Sequence, residues 1–130
     1  SIERVFIKSK NANIPVHVTE LDVSVLPNGW KHRTASVEER FKLSAKYNPY
    51  PKGAPKEVLD NQAKRYADIF KIFVSYSDII ERVTFWGVWD GNSWRDYRPM
   101  LGRTDYPLLI GREFEKKPAY NSVIQTAKSQ

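Results

Sequence analysis

Only two stretches of this 130-residue chain carry strand patterning, and a long amphipathic helix lies between them. Strands separated by a helix pair in parallel through a right-handed crossover. A parallel sheet, however, is covered on both faces and needs more neighbours than two strands provide. A closed eight-fold strand-and-helix barrel supplies those neighbours but takes about 250 residues. The expected class is therefore α/β: residues 1–130 form the C-terminal part of a single barrel domain whose N-terminal part lies outside this chain. The chain also opens at Ser1, without Met, directly on an amphipathic segment, as a piece of something longer would.

The first strand is expected within 14–25, where side chains alternate. Val16, Val18, Glu20 and Asp22 fall on one face, and His17, Thr19, Leu21, Val23 and Val25 on the other. The second is expected over 83–88, with Val83 and Phe85 opposite Thr84, Trp86 and Val88. Between them, over 56–77, Val58, Gln62 or Ala63, Tyr66, Ile69 or Phe70, and Phe73 recur at helical spacing. Three shorter helices accompany it. Ile2, Val5 and Phe6 mark one; Ser36 and Glu39 form a capping box at the head of another; Pro118 precedes the last, around 120–127. In a barrel, Val16, Val18 and Thr84 would fill the interior, while Leu21, Val23, Val83 and Phe85 would meet the outer helices. Glu20, Asp22 and Trp86 would then stand at the carboxyl ends of strands, where barrel enzymes place their chemistry.

Composition removes several classes. With 41% hydrophobic residues the chain is too apolar for a disordered tail. The formal charge of +6 is spread along the chain, its longest basic run is Lys116–Lys117, and acidic residues interleave throughout. That distribution reads as solvated surface, not as a nucleic-acid footprint. No apolar run approaches the roughly 20 residues of a membrane span. Without cysteine there is no disulfide, thiolate metal site or Cys nucleophile. Two histidines without metal-ligand spacing give a zinc site no support. His17 reads as a packed, hydrogen-bonded outer residue and His32 as loop surface. Neither a phosphate-cradling glycine loop nor a nucleophile elbow is present.

Two groups of residues remain. Glu20 and Asp22 share one strand rim, either as a solvated strand end or as a nucleophile or acid/base pair, and spacing does not choose between these. Three of the four tryptophans fall between positions 86 and 94, and Trp89 and Trp94 occupy a loop with Asp90, Asn92 and Ser93. Loop indoles beside carboxylates suit a sugar ring, whose C–H faces are apolar and whose hydroxyls need partners such as Asp22, Asp90 or Asn92. Single-stranded nucleic acid would want a basic groove there, and Asp90 and Asp96 stand in its place.

These residues resemble a known family. Val16, His17, Val18, Thr19, Glu20, Leu21, Asp22 is similar to the nucleophile strand of glycoside hydrolase family 10, the endo-1,4-β-xylanases. Trp86 and Gly87, then Asp90, then Ser93 and Trp94, resemble that family's eighth strand and following loop. Pro107, Leu108 and Leu109 with Pro118, Ala119 and Tyr120 resemble its closing segment. The resemblance implies the seventh and eighth strands, with their helices, of a (β/α)8 TIM barrel that cleaves internal bonds of xylan with retention. It implies that Glu20 is the nucleophile and that Asp22 supports it through a histidine outside this chain. Trp86 would floor the subsite of the sugar whose bond is cut, and Trp94 would cover that sugar. The implied partners are xylan or xylo-oligosaccharide and the N-terminal part of the same barrel, with no cofactor, and the implied location is secreted or cell-surface. The family's acid/base glutamate belongs to the fourth strand, so this chain alone is not expected to be active. Two rival expectations are a non-catalytic carbohydrate-binding fragment using Trp89 and Trp94, and one half of a split barrel.

Overall fold

A computed structural model describes residues 1–129. Helix α1 (Ile2–Asn11) leads into strand β1 (Val16–Leu21), followed by α2 (Val37–Tyr47), α3 (Lys56–Ser75), β2 (Ile80–Phe85) and α4 (Pro118–Lys128). The two strands pair in parallel, as the order of elements requires.

The helices arise where local chemistry asked for them. Ser36 Oγ accepts from the Glu39 N–H at 3.2 Å and Glu39 Oε2 from the Ser36 N–H at 2.7 Å, closing the capping box of α2. Pro118 occupies the first turn of α4, where its missing N–H costs nothing. α3 buries Gln62, Ala63, Tyr66 and Phe73, which fill three positions of the expected stripe. Tyr66, Ala63 and Val23 pack with Ala119 and Val123 of α4, and Leu21, Phe70 and Phe85 close around them. At roughly 1.5–3 kcal/mol for each large side chain removed from water, Tyr66 and Phe73 make α3 a principal source of stability. Phe6 extends the core to α1, its ring centroid 5.3 Å from Tyr76 and 6.1 Å from Phe73.

The strands depart from simple alternation. Val18 pairs with Val83 and Leu21 with Phe85, so β1 spends three steps where β2 spends two. Glu20 sits in this offset at φ 58°, a β-bulge that turns the following residues over. Val18 and Leu21 therefore share a face, and Val18 lines a groove with Ile69, Ile72 and Phe73 of α3. This corrects the expectation that Val18 fills a barrel interior beside Glu20: it is half-buried and faces the helices. His17, Thr19 and Thr84 are the exposed residues of the pair of strands, with Glu20, Glu81 and Arg82. Leu21, Val23 and Phe85 meet the helices as expected.

β2 also runs earlier than 83–88. It begins at Ile80, just after the Ile79 carbonyl accepts from the Val16 N–H at 2.8 Å. It ends because Gly87 takes φ 141°, and a side chain there would lie 2.8 Å from Leu108 Cδ1. Trp86 thus stands just past the strand.

Candidate active site

The loops after the two strands are held by polar side chains reaching in from the core. Gln62 Nε2 donates to the carbonyls of Val23 at 2.8 Å and Tyr106 at 2.5 Å, and Tyr66 Oη to that of Pro107 at 2.5 Å. Helix α3 thereby ties the segment after β1 to the loop after β2. Asp105 reinforces the join, accepting from Ser24 Oγ at 2.5 Å and the Val25 N–H at 3.1 Å.

Asp90 and Lys117 form a second, wholly interior tie. The Asp90 carboxylate accepts from the Leu108 N–H at 2.8 Å and pairs with Lys117 Nζ at 2.9 Å. Lys117 also donates to the Tyr106 and Leu108 carbonyls at 2.6 and 2.7 Å. Burial pushes the Asp90 carboxyl up to about 6 against the pull of the ammonium, and it pushes Lys117 down. Two expectations are corrected here: Asp90 is fully buried and cannot meet a sugar hydroxyl, and Lys117 is core, not solvated surface. Each charge is tolerated inside because the other neutralises it.

On this scaffold Asp22 meets Trp94. The indole Nε1–H donates to Asp22 Oδ2 at 2.7 Å, while Arg95 Nη2 and Nε donate to Oδ1 at 2.6 and 3.0 Å. The Asp22 side chain is only 3% exposed, so its charge is answered within the protein. Arg95 then folds back, its Cζ 4.6 Å from the centroid of the Trp94 ring, and its N–H donates to Ser93 Oγ at 3.1 Å.

Glu20 differs from Asp22 in every respect. It is exposed and held at positive φ by the bulge. With Asp22 and Arg95 it lines a groove of about 330 Å³ whose apolar wall is Ile2, Ile69, Ile72 and Phe73. Trp86 lies outside that groove but adjoins it through the backbone: its N–H donates to the Leu21 carbonyl at 3.0 Å, and 47% of the residue is exposed. Of the two rim carboxylates, Glu20 alone is open to an incoming ligand.

The remaining candidates have partners within the chain. Trp89 stacks on Phe114 at 4.3 Å between centroids, so one face of that indole is already covered. Trp94 has Arg95 over its ring. The stacked face of Trp89 is thereby unavailable as a free platform. His17, expected to be packed on the face opposite Glu20, is instead exposed like Glu20 and bonds Glu81 Oε2 at 2.9 Å. His32, expected at the surface, is half-buried edge-on against Tyr47 at 4.8 Å. Arg95 is the residue that sequence reasoning missed; its position directly after Trp94 was visible, but a partner 73 residues away was not.

Residues 1–126 match the sequence model of glycosyl hydrolase family 10. The chain belongs to glycosyl hydrolase family 10. Within the family it is similar to endo-1,4-beta-xylanase A of Xylanibacter ruminicola, 40% identical over 114 residues that make up 88% of this chain and 31% of that protein. It is similar also to the endo-1,4-beta-xylanase of Geobacillus stearothermophilus, 36% identical over 84% of this chain and 28% of the relative. Among solved structures, a family 10 endoxylanase retrieved from sugarcane soil metagenome superposes with a TM-score of 0.84 at 39% identity, covering 98% of this chain and 34% of that one. A mutant structure in complex with xylotriose superposes at 0.73 with 30% identity, over 95% of this chain and 33% of its own. The chain thus spans about a third of the (β/α)8 barrels of family 10 that it matches.

Proposed function

We propose that this family 10 chain is the C-terminal part of a single xylanase barrel, contributing the seventh and eighth strands, and that Glu20 is the nucleophile of a retaining reaction. The observation that carries this reading is the placement of Glu20: an exposed carboxylate on a bulge at the carboxyl end of a parallel strand, next to a neutralised Asp22. Barrel enzymes assemble their sites on that face.

In the assembled site Glu20 attacks the anomeric carbon of a β-1,4-linked xylose unit. The exposed indole of Trp86 supports the sugar, and Trp94 covers it from the loop. A glycosyl ester forms as the leaving oxygen takes a proton, and water then cleaves the ester. A retaining site needs a second carboxyl group about 5–5.5 Å from the first. Asp22 is committed to Trp94 and Arg95, Glu39 to its helix cap and Glu81 to His17. By the family resemblance the acid/base glutamate belongs to the fourth strand, in the remaining two-thirds of the barrel, so the chain alone is expected to be inactive. The substrate is xylan or xylo-oligosaccharide, consistent with the xylotriose held by a solved relative. Because that substrate is a polymer, the complete enzyme acts outside the cell or on its surface. Asp22 supports Glu20 through a histidine of the missing part.

The test is a chimera in which this chain completes the barrel of the Xylanibacter ruminicola relative. Glu20→Gln should lower turnover by about four orders of magnitude while xylo-oligosaccharide binding survives. Turnover near that of the unsubstituted chimera would remove Glu20 from the role.

A further inference from the structure

The fork of Arg95 is not explained by the reaction just described. A guanidinium that sits on one carboxylate and also covers an indole fixes three groups at once: Asp22, the Trp94 ring plane and the loop between them. Arg95 Nη2 donates to Asp22 Oδ1, Arg95 Nε is shared between Oδ1 and Oδ2, and Trp94 Nε1–H donates to Oδ2. The ring is thus held at its nitrogen by Asp22 and over its face by Arg95 at 4.6 Å. Ser93, 2% exposed, accepts the Arg95 backbone N–H through its hydroxyl and pins the backbone of the same turn. The side chain of Arg95 remains 23% exposed and lines the groove that also contains Glu20.

We propose that Arg95 is a positioning residue for substrate binding: it sets the angle of the Trp94 indole over the sugar beside Glu20. The proposal rests on the function proposed above, since it takes Trp94 as the cover of that sugar. An indole held only by its N–H pivots about that bond, and a pivoting ring loses the defined apolar face that a pyranose needs. Lysine retains the charge but not the planar two-point fork, so it replaces Arg95 only in part. The effect falls on binding of substrate and transition state alike and is therefore read chiefly in KM.

The experiment compares Arg95→Met and Arg95→Lys in two settings. In this chain alone, the indole N–H proton resonance of Trp94, assigned by its loss in Trp94→Phe, should shift and broaden in Arg95→Met and lie between in Arg95→Lys. In the chimera, Arg95→Met should raise KM for xylohexaose about tenfold with kcat within about threefold, and Arg95→Lys should recover part of that loss. If Arg95→Met does not fold, the lysine variant carries the test with a smaller rise in KM, about threefold. An unmoved Trp94 resonance together with an unchanged KM would overturn the proposal. Trp94→Ala separates the two levels: no effect of that change on KM would overturn the placement of Trp94 and this proposal with it, whereas a large effect beside a silent Arg95 would overturn this proposal alone.

Discussion

The indole N–H of Trp94 donates to Asp22 Oδ2 at 2.7 Å, joining the end of β1 to a loop 72 residues further along the chain. Arg95 shares the carboxylate, so the strand end and the aromatic loop move as one piece. Asp22→Ala leaves both donors without an acceptor in a mostly buried position. Unfolding in urea, followed by tryptophan emission, should show a loss of about 3 kcal/mol, and Asp22→Asn, which keeps one acceptor oxygen, a smaller one.

Asp90 sets a pH dependence whose sign is unusual for an acid. Burial raises its carboxyl from 3.8 to about 6. Between about pH 4 and pH 6 the native protein keeps a proton that the unfolded chain has released, so this group makes stability fall as pH rises through that window, by up to ~1.4 kcal/mol per pH unit. Above the window its contribution is flat. Urea midpoints measured from pH 4 to pH 7 should show the slope in the parent chain and lack it in Asp90→Asn.

Gly87 ends β2 in a conformation that side chains rarely adopt, with Leu108 Cδ1 2.8 Å from where a β-carbon would stand. Gly87→Ala should therefore cost about 1–3 kcal/mol, from backbone strain and the contact together. Because Trp86 precedes it directly, the fluorescence of the native state should change as well. A variant as stable as the parent would contradict the assigned turn.

Local features were readable from the chain and distant ones were not. The stripe of α3 and the Ser36–Glu39 box lie within a few residues, and both stand where expected. The bulge at Glu20 left no mark on an alternating pattern. It depends on how two strands of unequal step match, and it moved Val18 to the side opposite the one expected. Asp90 and Lys117 resemble any charged loop residues until the fold joins them, and only their pairing makes burial tolerable. The candidate site shows the same division. Type and spacing put Glu20 and Asp22 on one strand rim without choosing between a solvated end and a working pair, whereas the difference between them, one open and one neutralised, comes from Trp94 and Arg95 across the fold.

The capping box permits a narrow check of α2. Ser36→Ala removes the acceptor for the Glu39 N–H and should lower stability by about 1 kcal/mol. Hydrogen exchange should speed up in the first turn of α2 and remain unchanged in α3.

The central claim is that Glu20 forms a covalent bond to the sugar. The most direct measurement is mass spectrometry of the chimera after reaction with an activated 2-deoxy-2-fluoro-xylobioside, a reagent that slows hydrolysis of a glycosyl ester and lets it accumulate. The account predicts one added disaccharide per protein, located by peptide fragmentation on Glu20 and absent from Glu20→Gln. A sugar attached to another carboxylate, or an active chimera that never acquires one, would contradict it.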